Sequence, residues 1–109
     1  MNMKKNEQMQ VNQLCTAYSM LAAGEARQWC SGFVRLNKCQ AATCRTENFE
    51  ILRSYNTIVA LYHIKTGVLV DILRRDYGYT ATSAQHIAKF RNLMRMRYGT
   101  CELLRYYPV

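Results

Sequence analysis

Arginine and tyrosine, rather than histidine or cysteine, are the residues whose types and spacing offer chemistry in this sequence. Arg74, Arg75, Tyr77 and Tyr79 stand together, Lys89, Arg91, Arg95 and Arg97 recur at helical intervals, and Arg105, Tyr106 and Tyr107 follow. Guanidinium forks match the oxygens of phosphate and carboxylate, and tyrosine rings supply stacking or interface area. The set fits a nucleic-acid contact or a protein hot spot rich in arginine and tyrosine, with a solvated charged face as the plain alternative. The charge balance points the same way. Fifteen Lys and Arg against seven Asp and Glu leave a net charge of +8, a field that favours nucleic acid, an acidic protein surface or a ribonucleoprotein. From Thr80 onward, Lys89, Arg91, Arg95, Arg97 and Arg105 face only Glu102, so the last third carries the positive patch.

The usual carriers of catalysis are poorly placed. Cys15, Cys30, Cys39, Cys44 and Cys101 are odd in number and spread through apolar patterns, as expected of reduced thiols in a cytosol. Cys39-x4-Cys44 lacks a second pair of ligands at zinc spacing, and His63 and His86 stand apart from it, so no metal and no cofactor are expected. A Cys-His nucleophilic pair needs a proximity that spacing does not give. Asp71 and Asp76 flank one strand end, and the sequence holds no Gly-rich phosphate loop. A non-enzymatic protein is expected, with a cysteine- or metal-dependent enzyme as the weakest alternative. His86, directly after Gln85 in the first turn of a helix, either reaches a partner or forms a polar flank to the buried stripe. His63 reads as packed.

These residues must be positioned by elements that the periodicity outlines. Residues 1–8 lack a pattern and read as a mobile tail. Val11, Leu14, Cys15, Tyr18, Leu21 and Ala22 recur at one helix face, predicting a helix from about Met9 to Ala23 that stops at Gly24. Ala26, Trp29, Cys30, Phe33, Val34 and Leu36 predict a second helix, weakened by Gly32, since a glycine inside a helix costs about 1 kcal/mol relative to alanine. Asn37 to Thr46 reads as a connection. The single domain spans 9–109, with a helical part at 9–36 and a sheet-plus-helix part at 48–109.

Phe49 to Arg53 predicts a strand bent near Ser54 to Asn56. Thr57 to Ile64 and Val68 to Arg74 then form an antiparallel hairpin, turned at Lys65-Thr66-Gly67, where glycine accepts positive φ. Strict alternation puts Ile58, Ala60, Tyr62 and Ile64 on one face, and Thr57, Val59, Leu61 and His63 on the other. In the partner strand Val68, Val70 and Ile72 oppose Leu69, Asp71 and Leu73. Both faces are mostly apolar and need a cover from the N-terminal helices or a partner subunit, which makes a homodimer an expectation. Asp76 to Tyr79 closes the sheet segment. A helix from about Thr82 to Tyr98 follows, opened by a Thr82 and Gln85 capping box, with Ile87, Phe90 and Met94 inward and Gly99 as its stop. Cys101 to Tyr106 predicts a last strand ended by Pro108. The architecture is thus α+β: two N-terminal helices, an antiparallel three- or four-stranded sheet, and one helix packed on it.

Length and hydropathy bound the rest. At 109 residues the chain holds one modest core. Its longest apolar runs are far short of the roughly 18 to 20 residues a spanning helix needs, so no membrane partner is expected. Polar residues stand where a signal peptide would place its apolar segment, and a cytoplasmic protein is expected.

At SYNTIVA (Ser54 to Ala60) and YGYTATSAQHIAKF (Tyr77 to Phe90) the sequence resembles a small domain carried by phages, plasmids and other mobile elements of Gram-positive bacteria. That pattern pairs an S-Y-x-T strand start with Y-S/T-A-T-S/T-x-x-H ahead of a short helix, here Ser54, Tyr55, Thr57, Tyr79, Thr80, Ala81, Thr82, Ser83, His86 and Phe90. Small accessory proteins of this kind resemble anti-CRISPR proteins directed at Cas9. The resemblance implies a protein of the host bacterial cytosol that inhibits a CRISPR nuclease by binding Cas9 or its guide RNA complex, with no fixed catalytic residues. The basic balance departs from acidic members that imitate DNA, and leaves an acidic surface, guide RNA or target DNA as the contact. The alternative is a phage accessory or regulatory protein that binds DNA or RNA directly. In either case Arg74, Arg75, Tyr77, Tyr79, His86, Lys89, Arg91, Arg95, Arg97, Arg105 and Tyr106 are the expected contact residues.

Overall fold

In the computed structural model, residues 4–29, 32–36, 39–76 and 80–107 are described, Trp29 and Asp76 by backbone alone. The chain opens with one long helix, α1 (Lys5–Trp29), where two helices and a tail are expected. Residues 5–8 form its first turns, and it runs through Gly24. Glu25 explains the continuation: its carboxylate accepts from the Thr46 hydroxyl at 2.7 Å and from the Asn48 backbone and side-chain nitrogens at 2.8 Å each. Tertiary bonds just past the glycine thus outweigh its weak helix propensity. Cys15 and Ala22 are buried, with Val11, Tyr18 and Ala26 packed beside them. Leu14 and Leu21, expected to face inward, are exposed.

Strands replace the second helix and the expected connection. β1 (Val34–Arg35) and β2 (Ala41–Arg45) pair antiparallel, and β2 continues onto β3 (Phe49–Ser54). Ala41, Ala42 and Cys44 are buried in β2, so the small residues that read as a linker are sheet-core positions. The tight turn from β3 into β4 (Thr57–His63) holds Tyr55 at φ 57°. β5 (Val68–Asp71) completes the hairpin, and Gly67 takes φ 75° at its turn, as expected. A short helix, α2 (Leu73–Asp76), leads to α3 (Ala81–Tyr98). β6 (Glu102–Arg105) returns beside β5 in parallel. The sheet is therefore six-stranded, in sequence order β1 to β6. A parallel neighbour requires a crossover connection, and α3 supplies it.

The cap of α3 differs from the expected box. Thr80, in extended backbone, accepts from Ser83 N at 3.2 Å, while Thr82 lies exposed inside the helix. Ile87, Phe90 and Met94 are buried as expected, and Gly99 ends the helix at φ 87°, its N–H donating to the Arg95 carbonyl.

The two sheet faces are covered by this chain's own helices. Against α1 lie Phe49, Ile51, Leu61, Val70 and Ile72; against α3 lie Leu52, Ala60, Tyr62, Leu69 and Leu73. The alternation of β5 agrees with the sequence pattern. In β4 it breaks, because the register shifts where Leu52 pairs Ala60 but Arg53 pairs Ile58. Val59 is the extra residue of a bulge. Ile58 consequently joins Leu61 on the α1 face instead of Ala60 and Tyr62 on the other. Among the described residues, no helix is long and apolar enough to cross a membrane.

Candidate functional site

α3 turns two different sides toward the protein. One carries Ile87, Phe90 and Met94 into the core; the other presents Ala84, Ala88, Arg91, Asn92 and Arg95 to a groove of about 410 Å³. The opposite wall comes from the end of β5 and from α2 and β6: Asp71, Leu73, Arg74, Leu103 and Arg105. Spacing explains the α3 wall, since positions three and four apart share a helix face. The parallel register explains the other, since Arg105 pairs with Asp71 across β5 and β6.

The groove has an apolar floor and a cationic rim. Leu73 and Ile87 are buried and Leu103 is half-buried. Four arginines, Arg74, Arg91, Arg95 and Arg105, surround them, and Asp71 is the one carboxylate in the lining among the described residues. That carboxylate is already engaged: Oδ2 accepts from Arg105 Nε at 3.2 Å, and Oδ1 from Leu73 N at 3.0 Å. The ion pair holds Arg105 at the rim while half its side chain stays exposed. Arg91 Nε is buried and has no hydrogen-bond partner among the described residues. The Cys101 thiol lies beside this end of α3; burial raises it above the ordinary thiol value, against the opposing pull of Arg91 and Arg95. A concave wall with four guanidiniums is suited to oxyanions, which accept paired N–H donors.

Several residues of the expected contact set lie elsewhere. Arg97 donates through Nη1 to Glu50 Oε1 at 2.5 Å, and Tyr98 donates its hydroxyl to Oε2 at 2.6 Å. Glu50 is buried in β3, so Arg97 is occupied in pinning the end of α3. Arg75 reaches the other layer, donating to Ser19 Oγ at 3.3 Å with its guanidinium 6.0 Å from the Tyr106 ring centre. Tyr106 packs against α1. Lys89 is exposed on α3, outside the groove lining. Tyr77 and Tyr79 lie outside the described residues.

His86 is in the core rather than on a contact surface. Its Nδ1 stands 2.8 Å from Ser54 Oγ, which also bonds Ser83 Oγ at 2.8 Å. All three residues are buried, and the Tyr55 ring lies 5.9 Å from the imidazole. Burial depresses the His86 pKa below the ordinary imidazole value, and Lys89 adds to that. Ser54, Tyr55, Ser83 and His86, separated in the sequence pattern, thus meet at one point and join the β3 to β4 turn to α3.

Sequence reasoning missed Asn92 and Asp71 as site residues. Asn92 was legible in principle, one position from Arg91 and three before Arg95 on the same helix. Asp71 had no signal beyond its place at a strand end. The cysteine reading also needs correction: Cys15, Cys39 and Cys101 are free thiols, but Cys44 is disulfide-bonded. No group of three or more His, Cys, Asp or Glu side chains among the described residues could hold a metal ion. Neither family models, nor curated proteins, nor solved structures give a match to this chain.

Proposed function

We propose that this chain is a non-enzymatic binding protein of a phage or other mobile element, which inhibits a CRISPR nuclease of the Cas9 type by docking its arginine groove on the effector complex. The observation that carries this reading is the convergence of Arg74, Arg91, Arg95 and Arg105 on one concave surface. A guide-loaded nuclease offers phosphate backbones that such a surface fits, and the +8 net charge draws the partners together. A binding role also agrees with the Ser54 and His86 contact, which is sealed in the core where no substrate reaches it. Such a complex acts in the bacterial cytosol. The Cys44 disulfide runs against that compartment, where thiols are kept reduced.

The second reading is a nucleic-acid-binding accessory or regulatory protein using the same groove on free DNA or RNA. The four guanidiniums favour it directly, because they fit phosphate without any protein partner. One experiment separates the two: target cleavage by guide-loaded Cas9 with and without the protein, beside gel shifts on bare DNA and RNA at several salt concentrations. An inhibitor of the complex stops cleavage without shifting bare nucleic acid. A direct binder shifts it, with affinity falling steeply as salt rises. If Arg91→Glu with Arg95→Glu leaves both readouts unchanged, the groove is not the functional surface.

A further inference from the structure

We infer that the groove takes a single unpaired nucleotide of a single-stranded nucleic acid, the phosphate on the arginine rim and the base on the apolar floor. This rests on the second reading, in which the groove binds free nucleic acid directly, and narrows it. A site that met only the outside of a duplex would need charge and no floor, since backbone contacts alone hold a duplex in place. Here the floor is apolar and recessed. Leu103, half-buried, is the open part of that floor, with Leu73 and Ile87 buried behind it, and α3 carries alanine at positions 84 and 88, where a larger side chain would occupy the space. The volume of about 410 Å³ falls in the range of small-molecule sites, about 300 to 1,000 Å³. Unpaired bases bind by laying a π face on apolar or guanidinium planes while cations track the backbone.

The rim supplies the remaining parts. Arg91 and Arg95, four apart on α3, face Arg105 on β6 and Arg74 on α2 across the opening. Arg105 is oriented by Asp71, so its remaining donors are directed without an ordering cost at binding. Asn92, exposed on the α3 wall, offers an amide whose donor and acceptor suit a base edge.

The test uses fluorescence polarisation with the intact protein and three probes of one sequence: a short single strand, the same strand with abasic positions, and its duplex. The expected result is single-strand binding about tenfold or more tighter than either of the others. Ala88→Leu closes the groove with every arginine retained, and it suits the fold because residue 88 is exposed and leucine is nearly as good a helix former as alanine. It should weaken single-strand binding about tenfold, leave duplex binding as it was, and keep the melting temperature. Equal binding of all three probes, or an Ala88→Leu protein indistinguishable from wild type, overturns the nucleotide site while leaving a charge-only groove intact. Binding of no probe overturns the nucleotide site too; cleavage inhibition by the same preparation then shows whether the inhibitor reading survives.

Discussion

Ser54 Oγ and His86 Nδ1, 32 residues apart in sequence, lie 2.8 Å from each other in the core. The contact ties the end of β3 to the first turns of α3, and Ser83 Oγ completes it. Because burial depresses the imidazole pKa, the folded state holds His86 neutral and the unfolded chain takes the proton more readily. Its stabilising contribution is complete above the unfolded value near 6.5 and is lost as pH falls through the lowered folded value. Chemical denaturation from pH 7.5 to 5 should show wild type losing stability that His86→Gln does not lose. Parallel curves for the two proteins would refute the assignment.

Glu50 is the buried anchor of the far end of α3. Glutamine in its place keeps one acceptor oxygen, enough for Tyr98 or Arg97 but not for both, and removes the charge that Arg97 pairs with. Glu50→Gln should cost about 1.5 to 3 kcal/mol, the range for a hydrogen bond to a charged group. Arg97→Ala should cost a comparable amount, because it strips charge compensation from a carboxylate whose side chain is 2% exposed. Urea midpoints with an unchanged denaturant slope would establish this. Neither substitution should weaken ligand binding in the groove, and a selective loss there would return Arg97 to the site.

Gly67 sits at φ 75°, and a Cβ built on it would lie 2.5 Å from Thr100 Oγ1. The same residue accepts from Glu102 N at 2.8 Å, which fixes the start of β6. Gly67→Ala should destabilise by about 1 to 2 kcal/mol through left-handed backbone strain, with the Thr100 contact adding to it. Adding Thr100→Ala should recover the contact part alone. Complete recovery in the double variant would show that backbone strain contributes nothing.

The Cys44 disulfide sets a chemical expectation. Thiol titration of protein unfolded without reductant should find fewer than five thiols, and five after reduction, matching the sequence count. Five thiols before reduction would mean that the bond does not form in the compartment where the protein was made. A reduced protein should melt lower than an oxidised one, typically by an amount equivalent to about 2 to 4 kcal/mol.

Much of the scaffold was legible because its signals are local. Gly67 marks a turn by the φ it accepts, and Ile87, Phe90 and Met94 mark a buried stripe by their spacing. Gly99 marks a helix end, and the alternation of Val68 to Leu73 marks a strand with two covered faces. The basic character of the last third was likewise plain from residue types. Each of these is fixed by residues within a turn or two of one another, where propensity and periodicity act.

Tertiary structure decided what locality could not. Glu25 meets Thr46 and Asn48 only once β2 and β3 are paired, so Gly24 reads as a stop until that contact exists. The polar, small-residue run at 41–45 becomes a core strand only between β1 and β3. The Val59 bulge moves Ile58 to the opposite face of β4 through its register with β3. The arginines show the division most sharply. Sequence grouped Arg74 with Arg75 and Arg95 with Arg97, but neighbours on a short helix or two apart on α3 point in different directions. Arg75 turns to α1 and Arg97 to Glu50. Arg74, Arg91, Arg95 and Arg105 instead meet because the parallel register of β5 with β6 and the docking of α3 on the sheet bring distant segments to one groove.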